Sequence, residues 1–311
     1  MKKQRVSPDM ADDDKPNLFN QLPDDLVVLI LCNLGSSASS PSDFFNALLT
    51  CKRIFDLGFR RRPVLSKLGA KALVMKARNW SESALRFLIR CAAADNIEAY
   101  YILGMIGFYC CQRKETGKLA LKRAANKSHA LAAYSLAIIK FKGIGGSETD
   151  KNAGAGVELC MRAASLGHWD AVLELALLLY DGHRFYPDIV GGRRLHSVAQ
   201  AVELVSFITF PFKRQARHRQ DPGNEPAAER HPVDVFLREW FESGVREGLK
   251  LCAHEGCGRP ETRVNEFGRC HACSTTNYCS LTCHWRDWNL RYKAECGSIA
   301  SVLAAGGGAG A

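Results

Sequence analysis

Apolar positions recur at helical spacing over most of the chain. The run Leu22-Pro23-Asp24-Asp25 leads into Leu26, Leu29, Ile30 and Leu34, a stripe that predicts a helix capped by Asp24 or Asp25. The small-residue stretch Gly35–Ser42 predicts a loop. Phe44, Phe45, Leu48, Leu49, Ile54 and Phe55 then predict a second helix, which closes a compact helical unit at 18–65.

From about Ala70 to Gln200 the pattern is helical and it repeats. EAYYILGMIGFYC begins at Glu98, LAAYSLAIIKFKG at Leu131 and DAVLELALLLYDG at Asp170. Aligned at Ala99, Ala132 and Ala171, the copies share an aromatic nine residues on, at Phe108, Phe141 and Tyr180. Offsets of 33 and 39 residues lie in the range of helical-pair solenoids. An alanine-rich helix follows each copy: LALKRAANKSHA, VELCMRAASLGHWD and RRLHSVAQAVEL. Small residues let the two helices of a pair approach, and the aromatics are expected to fill the space between neighbouring pairs. Gly143 and Gly182 are placed to stop the first helix of their copies. The expected fold class is therefore mainly α, with an α-solenoid at 70–210.

Beyond it, the basic run 213–219 and DPGNEPAAERHP mark a linker at 211–232. Residues 233–251 predict one amphipathic connecting helix with Phe236, Leu237, Trp240 and Phe241 facing inward. The polar segment 1–17, acidic at Asp12–Asp14, reads as a disordered tail, and 297–311, ending AAGGGAGA, as a flexible one.

Composition narrows the class. With 47% hydrophobic and 24% charged residues, the 311-residue chain is of the soluble, folded kind. The longest apolar runs, Leu173–Tyr180 and Val202–Phe212, fall short of the roughly 18 residues that span a bilayer. MKKQRVSPDMADDDK has basic residues with no apolar core behind them, so no secretory signal is expected. The expected location is intracellular, cytoplasm and/or nucleus, without membrane attachment. A net charge of +10 favours acidic partners in general, but the basic run 213–219 reads as a solvated linker, so nucleic acid is not an expected partner.

Cysteine carries the strongest chemical signal. Seven of the thirteen cysteines crowd into 252–296, spaced Cys252-x4-Cys257-x12-Cys270-x2-Cys273-x5-Cys279-x3-Cys283-x12-Cys296. Short gaps let two thiolates from one tight turn reach the same ion, and about four soft ligands satisfy zinc. The segment has too few aliphatic residues to fold by burial alone, so metal is expected to supply its folding energy. Cys32, Cys51, Cys91, Cys110, Cys111 and Cys160 lie on apolar helical stretches and read as small core residues.

At these residues the sequence resembles the MYND-type zinc finger, in the form found in plant proteins. The resemblance implies two interleaved zinc sites: Cys252, Cys257, Cys279 and Cys283 in one, and Cys270, Cys273 and Cys296 with a histidine in the other. Tyr292 stands where the family has that histidine, and a phenol with a pKa of about 10 is a poor ligand near neutrality. His271 or His284 are the possible substitutes, with His254 less obvious, and the second site is expected to be the weaker. Trp285 and Trp288, three apart on a predicted helix, are candidates for docking an extended peptide or for covering the metal core.

LFNQLPDDLVVLILCNL followed by DFFNALLTCKRIFDLGF resembles an F-box, through Leu22-Pro23-Asp24, the Leu26/Leu29/Ile30 stripe and Cys51-Lys52. That family docks on a Skp-type adaptor and thereby on a cullin ligase, which makes Leu22, Pro23, Leu26, Leu29 and Ile30 the expected adaptor-binding residues. The middle region resembles Sel-one-like, tetratricopeptide-like repeats. In this order the three parts resemble a plant family of F-box proteins with a C-terminal MYND finger. The implied function is a non-catalytic substrate-recognition adaptor of a ubiquitin ligase. The alternative is a zinc-finger scaffold or transcriptional co-regulator with no link to ubiquitination. No glycine-rich cofactor loop or catalytic constellation stands out.

Overall fold

The computed structural model describes residues 21–146, 151–185, 230–244, 248–270, 273–289 and Cys296. Among them the protein is almost wholly helical, with thirteen α-helices and one two-stranded ribbon. The tails at 1–17 and 297–311, the helix expected from RRLHSVAQAVEL, and the basic run at 213–219 lie outside the described residues.

The N-terminal unit differs from expectation in its breaks. Helix α1 (Asp24–Ser37) starts from Pro23 with no side-chain cap. Asp24 instead pairs with Arg53 at 2.7 Å, while both acids favour the helix dipole from its first turn. The helix also takes in Gly35–Ser37, three of the eight residues of the expected loop, with Gly35 buried against Leu68 and Phe44. Ser40 and Asp43 then form a reciprocal capping box that opens α2 (Pro41–Leu48). The single helix expected over 44–55 is two: extended Cys51 caps α3 (Lys52–Arg60) with its sulfur on the Ile54 amide. Cys51 is thus exposed rather than a core residue, whereas Cys91, Cys110 and Cys160 are buried.

Short helices α4 (Arg62–Lys67) and α5 (Ala70–Leu73) lead to α6 (Glu82–Ala93). Phe87 of α6 lies 5.1 Å from Phe45 and stacks on Phe59 at 5.9 Å, which joins the N-terminal helices to the repeats. The repeat helices are α7 (Ile97–Tyr109), α8 (Lys114–Asn126), α9 (Ala130–Lys142), α10 (Ala153–Ser165) and α11 (Trp169–Phe185). Asp95, Ser128 and Gly167 stand four residues before Ala99, Ala132 and Ala171, and all three have positive φ, at 74°, 64° and 85°. One left-handed corner therefore turns α6 into α7, α8 into α9 and α10 into α11. Asn96 and His129, one residue on, cap the following helices through the Ala99 and Ala132 amides.

The aromatics pack against the second helix of their own pair, and the Phe108 ring also reaches the next pair, where a Cβ on Gly145 would stand 2.6 Å from its Cζ. A Cβ on Gly117 of α8 would stand 2.8 Å from Phe108 Cβ, and one on Gly156 of α10 would stand 2.5 Å from the Phe141 ring. Each glycine of the second helix admits the aromatic of the first. Gly143 ends α9 in the left-handed conformation, as expected. Gly182 does not end α11, which runs on to Phe185; an internal glycine costs a helix only about 1 kcal/mol.

Helix α12 covers Pro232–Glu242, about half the expected length, because Leu251 already bridges to Pro260 in the cysteine-rich segment. Phe236 and Leu237 are buried, with Trp80 5.3 Å from Phe236. Strands β1 (Gly268–Arg269) and β2 (Asn277–Tyr278) pair antiparallel, and α13 (Leu281–Asp287) follows. No helix among the described residues is long and apolar enough to cross a membrane.

Candidate metal centre

The cysteine-rich segment gathers its sulfurs into two interleaved sets. Cys252, Cys257, Cys279 and Cys283 form one, and Cys270, Cys273 and Cys296 the other, with the sulfurs of each set within 4.8 Å of one another. The first set joins two distant turns. Cys252 and Cys257 come from the loop closed by the Leu251–Pro260 bridge, and Cys279 and Cys283 from the end of β2 and the first turn of α13. Gly258 has φ 69°, and a Cβ there would collide with the Asp234 carbonyl of α12, so only glycine fits beneath this loop. Ser280 caps α13 by accepting from the Cys283 amide at 3.0 Å, which sets the position of that cysteine.

The donor chemistry fits a soft divalent ion. Cys257 and Cys279 sulfurs lie 3.4 Å apart and Cys279 and Cys283 sulfurs 3.6 Å apart, too far for disulfides. Tetrahedral thiolates about 2.3 Å from a central ion stand about 3.8 Å from one another. All four residues are buried. Hydrogen bonds from the three neighbouring sulfurs outweigh burial and hold Cys257 well below the ordinary thiol range, with Arg259 adding to the effect.

The second set is more open. Cys270 and Cys296 are buried, while Cys273 is half-buried and its sulfur lies 2.9 Å from Thr275 Oγ1. His284 is not drawn into this set: its ring stacks on Tyr278 with centroids 4.7 Å apart. His254 is likewise outside both sets. Tyr292 and His271 lie outside the described residues. Of the two tryptophans, Trp288 packs against the core and Trp285 is 46% exposed.

Sequence reasoning missed how firmly this segment is built into the repeats. Glu174 of α11 accepts from the Leu281 and Thr282 amides at 3.1 and 2.8 Å, so a repeat carboxylate satisfies the start of α13. Thr282 Oγ1 donates to the Asp170 carbonyl at 3.0 Å, and Arg286 pairs with the Asp170 carboxylate at 2.6 Å. Glu266 accepts from the Gly145 amide, and Arg263 donates to the Gly146 carbonyl. A buried acid inside an apolar repeat helix was the only available hint.

At the other end of the molecule, Leu26, Leu29 and Ile30 are 46%, 58% and 45% exposed. Val27 and Leu31 carry the buried side of α1. Leu22 is partly buried against the core and Pro23 is exposed.

Comparison with known proteins agrees with this architecture. Residues 70–155 match the family of plant tetratrico peptide repeats. F-box protein At5g50450 of Arabidopsis thaliana is 48% identical over 287 residues, covering 90% of this chain and 85% of its own length. F-box protein At1g67340, from the same plant, is 45% identical over 332 aligned residues, covering 97% and 86%. The chain belongs to this family of plant F-box proteins.

Proposed function

We propose that the chain is a non-catalytic substrate-recognition adaptor of a Skp–cullin–F-box ubiquitin ligase. One observation carries the reading: α1 is buried through Val27 and Leu31 yet presents Leu26, Leu29 and Ile30 to solvent. A two-sided apolar helix at the edge of a fold suits a second protein on its open side. In this reading the F-box spans 18–65, with Pro23 and the half-buried Leu22 at the rim of the docking face. Sel-one-like repeats span 70–210, a linker 211–232, a connecting segment 233–251 and a MYND-type finger 252–296. The finger and repeats hold a target near the transferase, which raises its effective concentration. Trp285 is the aromatic available for that contact, whereas Trp288 serves the core.

Zinc is the metal these ligands favour. The four-sulfur set is complete from described residues, and the three-sulfur set takes one further donor. Metal analysis of the full chain is expected to give two zinc ions if a histidine such as His271 completes the second set, and one if not. A ratio near zero would overturn the metal reading.

Co-purification with a Skp-type adaptor tests the ligase reading. Leu29→Lys should cut adaptor affinity by about 10- to 100-fold while leaving the circular dichroism unchanged. Intact protein that binds no such adaptor would leave the scaffold or co-regulator reading standing instead.

A further inference from the structure

The four-sulfur set is wholly buried, and residues of the repeats line the space beside Cys279. Arg259, only 6% exposed, stands between the two. Its Nη1 lies 3.5 Å from Cys257 Sγ and 3.9 Å from Cys279 Sγ, while Nη2 donates to Ser135 Oγ of α9 at 3.1 Å. Its guanidinium carbon is 5.8 Å from the Tyr134 ring centroid, on the same helix. A second cation comes from α9 itself. Lys142 lines a cavity of about 140 Å³ between repeats and finger, together with Cys279 and Glu174. Glu174 is engaged by the two α13 amides and by the Tyr134 hydroxyl. Glu174 is the leading carboxylate acting on Lys142.

Arg259 is buried against sulfur and Lys142 half-buried near it. Burial pushes the Lys142 ammonium toward its neutral form, opposed first by Glu174 and then by Cys279, so keeping both charges here needs further negative charge close by. A divalent ion held by four thiolates carries a net charge of −2. Arg259 and Lys142 offset that charge from the side of the repeats, with the Glu174 carboxylate standing beside Lys142. We infer that Arg259 and Lys142 are the counter-charges of the loaded four-sulfur set, and that α9, by supplying one and holding the other through Ser135, couples metal affinity to the seating of the finger on the repeats. The inference rests on reading the set as a metal site.

The coupling is reciprocal by thermodynamic necessity. If docking on α9 tightens metal binding, metal binding tightens docking by the same factor. The inference ties α9 to the first sulfur set alone, so the affinity of the second should not depend on α9.

The experiment uses the full chain, zinc alone, and competition with a chromophoric chelator. Lys142→Met lies far from the cysteines in sequence and removes one charge without touching a ligand. It should weaken zinc at one of the bound equivalents by about 10- to 100-fold, and Lys142→Arg should restore the affinity. Ser135→Ala should weaken it less. Protease cleavage within 248–270 should rise in Lys142→Met at limiting zinc and return to the wild-type rate at saturating zinc. Wild-type affinity in both Lys142→Met and Ser135→Ala, with one or two zinc ions still bound per chain, would overturn the inference and leave the metal reading intact. Absence of bound zinc from the wild-type chain would overturn both together.

Discussion

The two sulfur sets are built from the same residue type at similar short spacing, yet they occupy different mechanical positions. Cys252, Cys257, Cys279 and Cys283 are all buried, close two turns of backbone onto one another, and rest on α9, α11 and α12. Cys270, Cys273 and Cys296 tie the β1 end of the ribbon to a point near the carboxyl end, and Cys273 stays half-buried. Both sets reach the buried core, but every ligand of the first is buried while Cys273 of the second is only half-buried. Ligand spacing alone does not tell how much of a protein depends on a site. The packing around the ligands does.

The largest expected effect breaks this comparison most directly. On the metal reading, Cys279→Ser should empty the first set and undock the cysteine-rich segment, since structural zinc sites contribute on the order of 10 kcal/mol to folding. Cys273→Ser should leave the first set loaded and the repeats undisturbed. Zinc stoichiometry with limited proteolysis measures both, and equal losses in the two variants would show that the sets act as one.

A smaller effect is expected from the carboxylate beneath α13. Glu174→Ala leaves two amides without their acceptor, while the Tyr134 hydroxyl keeps Ser280 Oγ, for a loss of about 2–4 kcal/mol in thermal or denaturant unfolding. Glu174 is not among the residues of the second set, so any metal held there should be retained. Loss of zinc from both sets would contradict the separation.

The smallest effect is a pH dependence in the support under the first set. Glu98 of α7 accepts from His129 Nε2 at 3.1 Å and His231 Nε2 at 2.7 Å, which ties α7 to the caps of α9 and α12. Burial would raise its carboxyl, but the two histidines prevail and hold it at about 2, below its ordinary 4.5. Because the folded value is the lower one, the stabilisation is present above about 4.5 and is lost as pH falls toward about 2. Glu98→Gln should therefore cost on the order of 2–3 kcal/mol at pH 7 and almost nothing near pH 2. Urea unfolding at the two pH values measures it, and a loss of the same size at both would show that hydrogen-bond geometry, not charge, does the holding.

Much of this was readable along the chain. The seven cysteines announced their segment by spacing, and the repeat register at Ala99, Ala132 and Ala171 places three helices with the same corner before each. The corners themselves escaped notice, because Asp95 and Ser128 adopt a backbone conformation that glycine usually marks. The α1 stripe was legible as helix but not by destination. Leu26, Leu29 and Ile30 carry the same apolar character as Val27 and Leu31, and periodicity alone cannot say which side a fold covers.

Local chemistry needs no coordinates here. Helical periodicity, capping serines and close cysteine pairs depend on neighbours a few residues away, and those neighbours are written in order. The partners of Arg259, Glu174 and Glu98 are set by three-dimensional packing instead: Ser135 is 124 residues from Arg259, Thr282 is 108 from Glu174, and His231 is 133 from Glu98. A buried charge must find a counterpart wherever folding brings one, and no pattern of near neighbours encodes that meeting.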